Sequence, residues 1–135
     1  AENDFARLDG MFVKFGGTGW FVARTRNTYH AAWSQPGALA ASVNWYRASP
    51  LRPPSPDDPG SGTLELDASA FVVEVPTLVV WGDRDQALLP VLLEGLETVV
   101  PELAIVRLPD ATHWLVHEQP DRVVAEIRSF LADAA

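Results

Sequence analysis

The sequence predicts an α/β architecture, with parallel strands and flanking helices in the C-terminal part and short helices ahead of them. Three observations predict it. Thr77-Leu78-Val79-Val80-Trp81 and Leu103 to Leu108 are short apolar runs, and the first lacks the polar alternation of a half-solvated sheet. From Pro120 onward, Val123, Val124, Ile127, Phe130 and Leu131 fall on one stripe while Arg122, Glu126 and Arg128 lie off it. Between the two runs an apolar segment opens at Pro90, so the order is strand, helix, strand, helix.

Composition bounds the function. The chain has 135 residues, 47% of them hydrophobic and 21% charged, which matches roughly one globular domain. No apolar run reaches the length of a membrane span. Eighteen acidic against ten basic side chains give a formal charge of −8, which repels a nucleic-acid backbone or an anionic membrane surface. With no cysteine, disulfides and cysteine-ligated metal sites are excluded. The start, AENDFARLDG, has neither the basic residues nor the apolar run of a signal peptide. These features together predict a soluble, cytoplasmic, acidic protein. The chain begins at Ala1 and its only methionine is Met11, which suggests a processed or truncated product.

Residues 1–49 are rich in aromatics, among them Phe5, Phe12, Phe15, Trp20, Phe21, Tyr29, Trp33, Trp45 and Tyr46, and read as short helices. Pro36 suits the first turn of a helix running to about Ala48, because its missing N–H costs nothing there. Leu39, Val43 and Tyr46 then share one helical face. Gly16-Gly17-Thr18-Gly19 lacks the lysine of a phosphate-binding loop and reads as a turn. Residues 50–62, PLRPPSPDDPGSG, hold five prolines and two glycines and form a semi-rigid connector. Residues 63–135 carry the strands: Phe71-Val72-Val73 is a further apolar run, and Pro90 opens a helix bearing Leu92, Leu93, Leu96, Val99 and Val100.

Open parallel sheets place functional groups in the loops beyond the carboxyl ends of their strands. The first strand runs into Trp81-Gly82-Asp83-Arg84-Asp85 and the second into Leu108-Pro109-Asp110-Ala111-Thr112-His113-Trp114. Parallel neighbours joined by one crossover bring these loops together, so Asp85 and His113 can pair. An acid that fixes an imidazole tautomer, with the imidazole as base, is the second half of a nucleophilic triad. The bland alternative is that Asp85 caps a turn and His113 only packs.

The stretch Val75-Pro76-Thr77-Leu78-Val79-Val80-Trp81-Gly82-Asp83-Arg84-Asp85 resembles the strand that delivers the catalytic acid in α/β-hydrolases. His113-Trp114, with Glu118 and Pro120 following, resembles their catalytic-histidine loop, and the order acid then histidine is the family's. The Gly-x-x-Asp pattern picks Asp85 as the acid and leaves Asp83 in a turn. Pro36-Gly37-Ala38-Leu39 with Asn44-Trp45-Tyr46-Arg47 resembles the last part of the helical cap of epoxide hydrolases and related dehalogenases.

That resemblance implies the C-terminal part of an α/β-hydrolase fold, with 1–49 a cap portion, 50–62 the connector and 63–135 part of the core. It implies catalytic roles for Asp85, His113 and Tyr46, whose phenol would hydrogen-bond to the epoxide oxygen. A phenol with pKa about 10 stays protonated at neutral pH and can donate to a developing alkoxide. The substrate implied is a small hydrophobic epoxide, hydrolysed to a diol through an ester, without metal or organic cofactor. A haloacid dehalogenase or a serine esterase of the same fold is the alternative chemistry.

The chain departs from the family in two ways. A second cap tyrosine is not identifiable, since Tyr29 sits in no matching motif. Neither Gly-x-Ser-x-Gly nor Gly-x-Asp-x-Gly occurs, so the nucleophile is expected from the family's first half, as a separate chain or cleaved piece, or from another copy by swapping. A fragment or partner subunit without turnover of its own is the reading from another class. His117 lies four residues past His113 but lacks a third ligand for a metal, and His30 reads as structural or solvent-facing.

Overall fold

The two apolar runs form the strands β1 (Thr77–Gly82) and β2 (Leu103–Leu108) in the computed structural model, which describes residues 5–16, 19–65 and 67–133. They pair in parallel, Thr77 opposite Leu103 and Gly82 opposite Leu108, as β-branched residues with a crossover between them favour. Among the described residues the sheet has only these two strands, and most of their side chains are half-buried, with Ile105 and Arg107 exposed, rather than covered on both faces. Gly82, Leu108 and Ala111 are buried where the strand ends meet.

The crossover differs from the expected α-helix. It consists of two 3-10 turns, Pro90–Leu93 and Leu96–Thr98, separated by Gly95 at φ 81°. Glycine enters that left-handed region without steric cost and stops a helix there. Leu93 and Val100 are still buried, while Leu88, Leu89, Val91 and Leu92 are exposed. Phe71-Val72-Val73 is not a strand either. Ala68–Phe71 is a 3-10 turn capped by the Asp67 carboxylate, which accepts the Ser69 N–H, and Val73 makes a single ladder-like bond from its N–H to Val99 O at 2.8 Å.

Among the described residues, three helices occupy the N-terminal part: α1 (Ala6–Lys14), α2 (Ala23–Trp33) and α3 (Ala38–Ala48). Pro36 lies in the turn between α2 and α3 instead of inside the helix, because that turn closes with Ala38 N–H on Gln35 O at 3.1 Å. Gly16 and Gly19 are in turns, and Gly17 and Thr18 of the same motif lie outside the described residues. In 50–62 the chain has neither α-helix nor ladder strand, only an isolated bridge between Ser55 and Asp58 and the start of a 3-10 turn at Gly60–Thr63.

Phe12 is the buried residue of α1, and it joins the two parts of the chain. Its ring lies 4.6 Å from Tyr29, 4.8 Å from Phe21 and 4.3 Å from Trp114, measured between centroids. Burying such a ring stabilises by roughly 1.5–3 kcal/mol. After β2 come the single turn α4 (Leu115–Glu118) and α5 (Pro120–Asp133), which packs on β1. Only part of the α5 stripe is covered: Val123 and Phe130 are half-buried, whereas Val124, Ile127 and Leu131 are exposed. Among the described residues no helix is long and apolar enough to cross a membrane.

Candidate active site

The two strand-end loops interlock through backbone bonds. Asp83 N–H donates to Leu108 O at 3.0 Å, and Arg84 N–H to Ala111 O at 3.0 Å. Gly82 makes this approach possible, since a Cβ there would stand 2.5 Å from Thr112 O and 2.6 Å from Ala111 O. No other residue fits so close to backbone oxygens. The glycine of Trp81-Gly82-Asp83 thus has a packing cause.

Asp85 is 7% exposed and its carboxylate is fully engaged. Oδ1 accepts the N–H groups of Ala87 and Leu88, each at 2.8 Å, and Oδ2 faces His113 Nδ1 at 2.9 Å. Burial by itself would raise the pKa of this carboxyl. The Leu88 N–H, the His113 imidazole and the Ala87 N–H together outweigh burial and hold it below the ordinary carboxylate value. An ionised carboxylate only accepts, so Nδ1 carries the proton in the neutral imidazole and Nε2 presents a lone pair. His113 is 30% exposed, so solvent reaches the ring, and a lone pair at Nε2 could accept a proton.

Asp83 is engaged elsewhere, on Arg107 Nε at 2.7 Å, and it lies in a turn. The loop around His113 is held by Glu118, whose two oxygens accept the Thr112 N–H at 2.7 Å and the Thr112 hydroxyl at 2.6 Å. Sequence reasoning placed Glu118 in the histidine-loop motif without a role. The Phe15 ring lies 6.4 Å from the His113 ring, and Trp114 stands edge-on to it at 4.9 Å, so aromatic walls flank the imidazole.

Tyr46 is not brought to this pair. It sits on the outer face of α3, 71% exposed, with Trp45 edge-on beside it, and among the described residues its hydroxyl has no hydrogen-bond partner. Tyr29, which no motif singled out, instead contacts the histidine loop: its hydroxyl lies 2.8 Å from His117 Nε2, and Trp20 stacks on that imidazole at 4.0 Å. His117 is thus tied to α2 through Tyr29. His30 is structural, bonded through Nε2 to Asp9 Oδ1 at 2.8 Å and packed beside Phe5 and Trp33.

No protein-family model matches the chain. It is 33% identical to the AB hydrolase superfamily protein YfhM of Bacillus subtilis (strain 168), over 96% of this chain and 41% of that protein. It is 28% identical to epoxide hydrolase 4 of Homo sapiens, over 97% of this chain and 34% of that protein. Its fold superposes on an inhibitor-bound crystal structure of Bacillus megaterium epoxide hydrolase with a TM-score of 0.74 and 25% identity, over 97% of this chain and 45% of that one. The chain therefore spans less than half the length of these relatives. Its parallel strands, their flanking helices and the likeness along nearly its whole length make it a C-terminal part of an epoxide-hydrolase-like α/β-hydrolase, and the chain belongs to that family.

Proposed function

We propose that this chain supplies the acid–base half of an epoxide hydrolase acting on a small hydrophobic epoxide. The observation that carries the reading is the Asp85–His113 pair, 2.9 Å apart at the ends of adjacent parallel strands. The epoxide hydrolases among the similar proteins support the substrate class. In this reading residues 1–49 are a cap portion, 50–62 a connector and 63–135 part of the core. The nucleophile comes from a segment outside this sequence, in the same polypeptide or as a partner.

The steps follow from what each group can do. A carboxylate of the complementary segment attacks an epoxide carbon, the C–O bond breaks, and the oxygen takes the phenolic proton of Tyr46. An ester is left on the nucleophile. His113 Nε2 then removes a proton from water, and the resulting hydroxide attacks the ester carbonyl. Asp85 stabilises the imidazolium through Nδ1–H, as the acid of a triad does. Release of the diol returns the carboxylate, and the imidazolium proton restores the phenol by way of solvent. For the cap to serve this chemistry, Tyr46 must lie under the complementary segment, which agrees with the open face it presents here.

His113→Ala in the full-length protein tests the scheme. Turnover should stop while the first covalent step survives, so the protein gains the mass of one epoxide. If the first step is lost as well and no adduct forms, the histidine activates the nucleophile directly and a serine esterase mechanism replaces this one. Halide release from haloacids, with epoxides left untouched, would assign the haloacid dehalogenase instead.

A further inference from the structure

Glu118 lies outside the acid–base pair, yet both its oxygens act on the residue before His113. Oε2 accepts the Thr112 N–H at 2.7 Å and Oε1 accepts the Thr112 hydroxyl at 2.6 Å. The same hydroxyl oxygen accepts the Trp114 N–H at 3.3 Å. The backbone N–H groups on both sides of His113 are thus tied to one carboxylate, the first directly and the second through Thr112. The ring is closed from the other end, because Glu118 N–H donates to Trp114 O at 3.1 Å.

This arrangement addresses a specific weakness. His113 is 30% exposed and sits on a turn, so solvent competes for its Nδ1–H and the loop's own dihedrals could swing the ring away from Asp85. Asp85 itself cannot follow, being held by Ala87 and Leu88. Bonds to a charged acceptor are about twice as strong as neutral ones and suit this fastening. We infer that Glu118 is a positioning residue: by clasping Thr112 it fixes the backbone of His113 so that Nδ1 stays on Asp85 and Nε2 points to the reacting water. The reaction it serves is the one proposed above, and the inference rests on that reading for its catalytic consequence.

The test uses the full-length protein labelled with 15N-histidine. The Nδ1–H proton of His113, held by a carboxylate, should resonate far downfield and exchange slowly, with His113→Ala identifying the signal. In Glu118→Ala the exchange should quicken and ester hydrolysis should slow, each by roughly tenfold to a hundredfold, the scale of losing the orientation of a reacting group. Formation of the ester should be unaffected, so the ester accumulates. Glu118→Gln should keep the signal, because its amide oxygen can accept the Thr112 N–H while its NH2 donates to the Thr112 hydroxyl.

Thr112→Val, which removes the hydroxyl link, should fall between wild type and Glu118→Ala, and it carries the same comparison if Glu118→Ala does not fold. The inference is overturned if folded Glu118→Ala or Thr112→Val leaves the Nδ1–H exchange at the wild-type rate. Damage in Glu118→Gln equal to that in Glu118→Ala also overturns it. Failure of the wild type to open epoxides, with the resonance still responding to Glu118→Ala, would reject the proposed reaction and leave the positioning role standing.

Discussion

His113 Nδ1 and Asp85 Oδ2 lie 2.9 Å apart although 28 positions separate them in the chain. The contact exists because β1 and β2 are parallel neighbours in register, so their carboxyl ends open side by side. The carboxylate sets which ring nitrogen holds the proton. Asp85→Asn should reverse this: its NH2 donates to Nδ1, which moves the proton to Nε2 and removes the base. Ester hydrolysis should fall on the order of a thousandfold or more in the full-length protein. The tautomer change should appear in the 15N shifts of His113, and unchanged shifts would count against the argument.

Tyr46→Phe removes one hydroxyl and little volume. If the phenol donates to the opening epoxide, the first step should slow by roughly tenfold to a thousandfold. Folding should be unaffected, since the ring is exposed and its hydroxyl has no partner among the described residues. Single-turnover kinetics of epoxide loss measure the effect. A rate equal to wild type would make Tyr46 a bystander.

Acid should weaken the fold through Asp85. Its pKa in the folded chain lies below the ordinary value of 3.8, so the unfolded state binds its proton first as pH falls. The stabilisation it contributes is complete well above 3.8 and disappears as pH drops through the lowered folded value. Urea unfolding at successive pH values should show wild-type stability declining below pH 3.8 more steeply than that of Asp85→Asn. Parallel curves would mean that the carboxylate's bonds do not matter to folding.

Gly82→Ala should destabilise by about 1–3 kcal/mol, the usual cost of overpacking. The added methyl would meet Thr112 O at 2.5 Å, and a backbone oxygen cannot rotate away as a side chain can. The same shift should pull His113 off Asp85, so activity falls further than stability explains. Denaturant midpoints and the His113 Nδ1–H signal would report the two effects separately.

The 135-residue chain by itself should associate or require a complementary segment. Its described sheet has two strands, which are marginal in water without further neighbours, and Leu131 on α5 is 61% exposed with Ile127 and Val124 beside it. Size-exclusion chromatography with mass measurement is the check. A cooperatively unfolding monomer of 14.7 kDa would refute the expectation.

Local sequence determined more of the site than of the fold around it. The longer apolar runs from Thr77 and Leu103 form strands where Phe71-Val72-Val73 does not, and a parallel pair has its loops at one end, so the sequence alone could bring Asp85 and His113 together. The resemblance to an acid-bearing strand singled out Asp85 over Asp83, and the fold pairs Asp85 with His113 and Asp83 with Arg107. Periodicity was less informative between the strands, because Leu92, Leu93 and Leu96 suit an α-helix and two short turns alike, and Gly95 decided for the turns. Helical spacing put Val43 and Tyr46 on one face but could not say what covers it, and here that face is open. The Tyr29–His117 contact, 88 positions apart, and the Glu118 clasp on Thr112 were decided only by the tertiary structure. Such side-chain bonds depend on how helices and loops dock in three dimensions, and residue types along the chain carry no period that reports it.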